Sequence, residues 1–217
     1  MTTSTHLLPL PRWRAVCRPR PTGSGVGVLL SDGSTLCRSS LSQLEEALGH
    51  SSLPPRCDFW DPAATQNWRL AHGLPPVEVL VSACLAGECC RYDGNHNRNP
   101  GAAALVEAGK GFPICPEVFG GLPCPRLPCE RLGERVIDRE GADHTAAFVA
   151  GASRAVKTAQ ILGAKAALLK ARSPSCGIGR IYDGSFSRRL VTGEGLAAQA
   201  LRQAGLQIFC EEDSPWT

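Results

Sequence analysis

Cysteine is the residue type through which this 217-residue chain can do unusual chemistry. There are 11, an odd number, at positions 17, 37, 57, 84, 89, 90, 115, 124, 129, 176 and 210. The N-terminal stretch MTTSTHLLPLPRWRAV lacks a basic start followed by a clean apolar run, so no secretory leader is expected. A reducing, cytoplasmic setting follows, in which thiols serve metal, cluster or thiol chemistry more often than disulfides. No CxxC pair occurs, which weighs against a zinc ribbon or a thioredoxin-like centre. Cys17, Cys37, Cys57 and Cys210 read as small buried hydrophobes. Cys210 lies in LQIFCEE, an apolar run of strand character.

Composition narrows the classes that could use those thiols. Hydrophobic residues make up 43% and charged residues 20%, with a net charge of +3. That suits a soluble globular protein and gives no basic surplus to bind nucleic acid or a membrane surface. No apolar run approaches the ~18 residues needed to cross a bilayer. The expected partner is a small molecule, and the oligomeric state is not encoded in any motif.

The elements that must position the cysteines divide near residue 76. Residues 1–76 form an extension. VGVLL, an Asp-Gly turn and TLCR read there as a hairpin. LSQLEEAL follows as a short helix, with Leu41, Leu44 and Leu48 on one face. The stretch 51–76, with Pro54-Pro55 and Pro75-Pro76, reads as a linker. From Val77 strands and helices alternate. VEVLVSAC is a strand, PGAAALVEA a helix, and FPIC a short strand. A long helix then runs from near His144 to Leu162, with Phe148, Ala152, Val156, Ala159 and Leu162 on its apolar face. AKAALLKA is a strand, GLAAQALRQA a helix, and LQIFCEE the last strand. This order predicts an α/β fold: an open, mainly parallel, Rossmann-like sheet with helices on both faces, plus a small N-terminal α+β extension.

That architecture gives three cysteines equivalent places. Cys84 ends the first strand of the second part, Cys115 ends FPIC, and Cys176 follows AKAALLKA in the loop ARSPSCG. The carboxyl ends of parallel strands share one edge of a sheet, and ligands bind there. Three thiols 31 and 61 residues apart can therefore converge on one soft-metal or cluster site. Glu117 would bring a carboxylate to the same edge. Arg91, Arg126 and Arg172 would bring positive charge, and several glycines would let backbone N–H groups approach.

Four segments together resemble the thiouracil desulfurase family: VSACLAGECCRYDG, ICPEVFGGLPCPR, GADHTAAFVAGA and ARSPSCGIGRIYDGSF. The likeness runs from about Val79 to Glu212 and leaves residues 1–76 outside it. It implies a [4Fe–4S] cluster held by Cys84, Cys115 and Cys176, with one iron open to take the sulfur of a thiolated pyrimidine. Water would replace that sulfur at the ring carbon without net redox change. The resemblance assigns proton handling and substrate orientation to Glu117 and Ser173. Cys89, Cys90, Cys124 and Cys129 read as bystanders, though a fourth thiolate from this group would close the cluster. Asp93 and Asp183, each before a glycine, read first as turn residues.

Two other classes compete. One is a non-catalytic metal- or cluster-binding regulatory or scaffold protein with a closed cysteine-rich site. The other is a thiol enzyme with Cys176 as nucleophile, which needs a histidine partner such as His96 or His144.

Overall fold

The computed structural model describes residues 75–212 continuously, with residues 66, 69, 70, 73, 215 and 216, and the backbone of three strands nearer the N-terminus. The chain divides into two units, residues 1–68 and 69–217. In the first unit β1 (Trp13–Arg14), β2 (Val26–Leu30) and β3 (Thr35–Arg38) form an antiparallel sheet in the order β1-β2-β3. The hairpin expected from VGVLL and TLCR is therefore present as β2 and β3. The helix expected over LSQLEEAL lies outside the described residues, as does most of the linker expected over 51–76.

The second unit is built on four parallel strands. These are β4 (Val79–Ser82), β5 (Gly111–Ile114), β8 (Ala166–Leu169) and β11 (Gln207–Cys210), ordered β11-β8-β4-β5. All four residues of β4 and of β8 are buried. Such strands are covered on both faces, so they read as continuous apolar runs rather than alternating ones. Between them stand α1 (Pro100–Glu107), α2 (Pro116–Phe119), α3 (Thr145–Leu162) and α4 (Leu196–Gln203). Two antiparallel hairpins complete the unit: β6 (Cys129–Leu132) with β7 (Arg135–Asp138), and β9 (Arg180–Tyr182) with β10 (Leu190–Thr192).

The direction of the crossovers decides where a ligand can sit. The chain steps from β4 outward to β5, then returns past β4 to β8 and on to β11. With right-handed connections this reversal puts α1 on one face and α3 and α4 on the other. It also opens a crevice beyond the carboxyl ends of β4 and β8, the switch point of an open parallel sheet.

Local chemistry fixes the helices that frame the crevice. Asn99 caps α1 by accepting from the Ala102 N–H at 3.0 Å, and Pro100 occupies the first turn. Gly163, at φ +73°, ends α3 in the left-handed conformation. On α3 the buried face carries Phe148, Ala152, Ala155, Ala159 and Leu162, and Val156 is half-buried. Helices α2 and α3 touch backbone to backbone through glycines. A Cβ on Gly120 would stand 2.0 Å from the Ala147 carbonyl oxygen, and one on Gly151 would stand 1.9 Å from that of Pro116. This contact seats α2 directly after Cys115.

Candidate active site at the edge of the sheet

A cavity of about 410 Å³ opens at the carboxyl ends of the central strands. Cys84, Cys115, Cys176, Glu117 and Ser173 all line it, as do Arg91, Arg126 and Arg172. Each sits where its strand stops. Cys84 lies in the turn after β4, where its carbonyl accepts from Gly87 N–H at 3.2 Å and Asn97 N–H at 2.9 Å. Cys115 is the N-cap of α2; its thiol makes no capping bond and meets the Cys90 carbonyl at 3.8 Å instead. Cys176 follows β8 in a tight turn built by Ser173, whose hydroxyl oxygen accepts from the N–H groups of Ser175 and Cys176, both at 3.1 Å. Gly177 closes that turn. A Cβ there would lie 2.6 Å from the Ser173 carbonyl oxygen, so only glycine fits.

The sulfurs feel one another. Burial pushes the Cys176 thiol pKa far up, a hydrogen bond with Ser82 opposes the shift, and charge on Cys84, Cys115 and Glu117 adds to it. Ser82 ends β4, and its hydroxyl oxygen also accepts the Lys170 N–H at 3.0 Å, which ties β4 to the chain leaving β8. Cys90 is 8% exposed and lines the same cavity. The neighbouring thiols of Cys115 and Cys84, with burial, raise its pKa. Cys90 in turn lowers the Cys115 pKa against the effect of burial.

A second network stands on the cavity wall. Arg126 donates through Nε and Nη2 to Glu117 Oε2 at 2.8 and 2.5 Å, and through both Nη atoms to the Cys90 carbonyl at 3.2 Å. The Arg126 side chain is 7% exposed. Burial works against its charge, but the adjacent Glu117 holds its pKa above the usual range. The other oxygen of Glu117 accepts the Ser173 hydroxyl at 3.5 Å.

The remaining candidates divide by position. Cys129 lines the cavity, and burial, helped by the charges of Glu117 and Asp138, pushes its thiol up to about 12. The Cys124 thiol is turned to the carbonyls of Cys89 and Arg91, at 3.2 and 3.1 Å. Asp93 accepts the Asn95 N–H at 3.1 Å, and Asp183 that of Ser185 at 3.0 Å, both as turn residues. Neither His96 nor His144 lines the cavity. His96 Nδ1 accepts the Arg98 N–H at 3.2 Å, and His144 Nε2 meets Asp138 Oδ2 at 2.8 Å. The histidine a Cys176 nucleophile would need is therefore engaged elsewhere. Glu130 and Phe186 also line the wall, and the sequence reading gave neither a role, although Phe186 closes the ARSPSCGIGRIYDGSF segment. They lie on or against hairpins whose short strands lack a clear alternating pattern.

An α/β enzyme with a thiol-walled site is the class these features define. Within that class, residues 79–213 match the 2-thiouracil desulfurase family, well over half of the chain, and the protein belongs to it. Among its relatives is the uncharacterized protein YbbK of Bacillus subtilis (strain 168), 37% identical over 145 residues. That alignment covers 62% of this chain and 96% of YbbK. Among solved structures, a [4Fe-4S]-dependent thiouracil desulfidase, TudS, is similar at 45% identity and a TM-score of 0.60. It covers 63% of this chain and 91% of that one. Among the described residues no helix is long and apolar enough to cross a membrane.

Proposed function

We propose that this protein removes sulfur from a thiolated pyrimidine such as thiouracil, using a [4Fe–4S] cluster held by Cys84, Cys115 and Cys176. The single observation that carries this reading is the arrival of those three thiols, from the ends of three parallel strands, at one cavity wall. The donor set fits such a group. Thiolates are the ligands iron–sulfur clusters take, and the sulfurs here stand around a cavity. Among the described residues no group of three or more His, Cys, Asp or Glu is placed to hold a single metal ion. When bound, such a cluster supplies a soft, Lewis-acidic iron suited to the sulfur of a C=S group.

The chain's own residues supply the rest. The net change is C=S plus water to C=O plus hydrogen sulfide, which balances without an oxidant or reductant. Glu117 takes the proton from the incoming water, a role open to a carboxylate within hydrogen-bond reach of the reacting atoms. Arg126 fixes that carboxylate through Oε2 and leaves Oε1 toward Ser173. Ser173 orients the substrate edge from the turn that also presents Cys176.

One observation favours a second reading, a closed cluster or metal site on a binding protein. Cys90 offers a fourth sulfur on the same cavity wall, and the Cys115 thiol meets its carbonyl at 3.8 Å. Anaerobic reconstitution followed by a sulfide-release assay on 2-thiouracil separates the two. Our reading expects about four iron per chain and turnover without added redox agents. Full iron loading with no sulfide release would favour the closed site.

A further inference from the structure

The loop between β9 and β10 borders the cavity and holds two non-glycine residues in the left-handed backbone region, Phe186 at φ +55° and Arg188 at φ +64°. Both line the cavity. A bulky residue in that region carries a conformational cost, so the surrounding structure must hold it there. The holder is Glu130 on β6. Its carboxylate Oε2 accepts the Gly184 N–H at 3.0 Å and the Phe186 N–H at 2.9 Å. Glu130 is 8% exposed, so these charge-assisted bonds act in a dry setting where their loss is costly. Gly184, at φ +87°, lets the loop press on the β6–β7 hairpin. A Cβ there would stand 2.8 Å from the Leu132 Cβ. The hairpin thus fixes the loop, and the loop holds Phe186 on the cavity wall.

We propose that Phe186 is a specificity-determining contact for the flat face of a heterocyclic substrate, and that Glu130 is the residue that positions it. The inference rests on the desulfurase reading and adds to it. The site selects a planar, aromatic ring by stacking and does not accept any thioamide that reaches the thiols. Stacking of a base on an aromatic side chain is tolerant of substituents but needs a flat partner.

The test uses the reconstituted holoenzyme, with activity expressed per bound iron. Phe186→Ala is expected to raise KM for 2-thiouracil roughly tenfold with kcat changed less than about threefold, and Phe186→Tyr to restore KM. Glu130→Ala is expected to raise KM in the same way. Glu130→Gln, whose amide oxygen still accepts both N–H groups, is expected to recover most of it. In the wild type, uracil is expected to inhibit roughly tenfold more strongly than its puckered 5,6-dihydro form, and Glu130→Ala should erase that preference. An unchanged KM in Phe186→Ala overturns the proposal. Where that variant fails to load iron, equal inhibition of the wild type by the two compounds overturns it. A wild type that releases no sulfide from a thiolated pyrimidine sinks the desulfurase reading and this proposal together, whereas a working wild type with either of the first two results sinks this proposal alone.

Discussion

The Ser173 hydroxyl meets Glu117 Oε1 at 3.5 Å, although the two residues lie 56 positions apart in the chain. One follows β5 and the other follows β8, so their contact reports the convergence of two strand ends on one spot. If these groups handle protons and orient the substrate, Glu117 acts on chemistry rather than on assembly, while Ser173 serves both. Glu117→Gln should lower kcat by roughly 10²–10⁴-fold with iron content intact. Ser173→Ala should lower kcat as well and should also lose iron, since its turn bonds to Ser175 and Cys176 are lost along with the substrate contact. Iron counts beside steady-state rates check both. Loss of iron in Glu117→Gln would reassign that residue to holding the site together.

Cys90 tests whether the cluster is open. A three-thiolate cluster predicts that Cys90→Ala keeps its iron and its turnover, and that Cys124→Ala and Cys129→Ala do the same. The Cys124 thiol faces two backbone carbonyls. Cys129 opens β6, a hairpin strand outside the parallel sheet, and its thiol meets the Leu127 carbonyl at 3.7 Å. Iron analysis and sulfide release on the three variants decide the point. A Cys90→Ala protein that binds no cluster would mean that this sulfur completes the coordination.

Gly151 and Gly120 carry the seat of α2. Either one changed to alanine must force α2 and α3 apart, because the added carbon would fall about 2 Å from a carbonyl oxygen. Overpacking of this kind costs on the order of 1–3 kcal/mol or more. Thermal unfolding should show the loss, and iron retention should fall with it, since Cys115 opens α2. A Gly151→Ala protein with wild-type stability would contradict the packing described.

The pair of His144 and Asp138 predicts a pH dependence outside the site. The hydrogen bond from His144, with backbone bonds from Ala142 and Glu140, holds the Asp138 carboxyl below its usual pKa. A carboxyl depressed on folding stabilises above its unfolded value, near 3.9, and that contribution is lost as pH falls through the folded value. His144→Ala should therefore lower Tm at neutral pH. The gap to wild type should shrink below about pH 4 as the carboxyl protonates in both. Thermal scans across that range measure it, and a gap that widens on acidification would contradict the assignment.

Much of the sheet was legible because its strands are buried on both faces. VLVS and AALL stand out as apolar runs, and the helices between them carry caps and a 3.6-residue period. Cys84, Cys115 and Cys176 could be placed at one edge from strand order alone. Less legible were the two hairpins, whose strands of three or four residues are only partly buried and show no clean alternation. Cys90 shows why adjacency in sequence misleads: it neighbours Cys89, yet only Cys90 turns to the cavity. Arg126 was legible as nearby charge, but its hold on Glu117 and on the Cys90 carbonyl depends on a loop fold that no spacing encodes.

The central claim is that three sulfurs hold one cluster that the reaction needs. Its most direct measurement is iron and sulfide content with 2-thiouracil turnover for anaerobically reconstituted wild type, Cys84→Ala, Cys115→Ala and Cys176→Ala. The account predicts about four iron and four sulfide per wild-type chain and release of sulfide with uracil in equal amounts, with each substitution abolishing turnover. Full activity in any one of the three variants would contradict it.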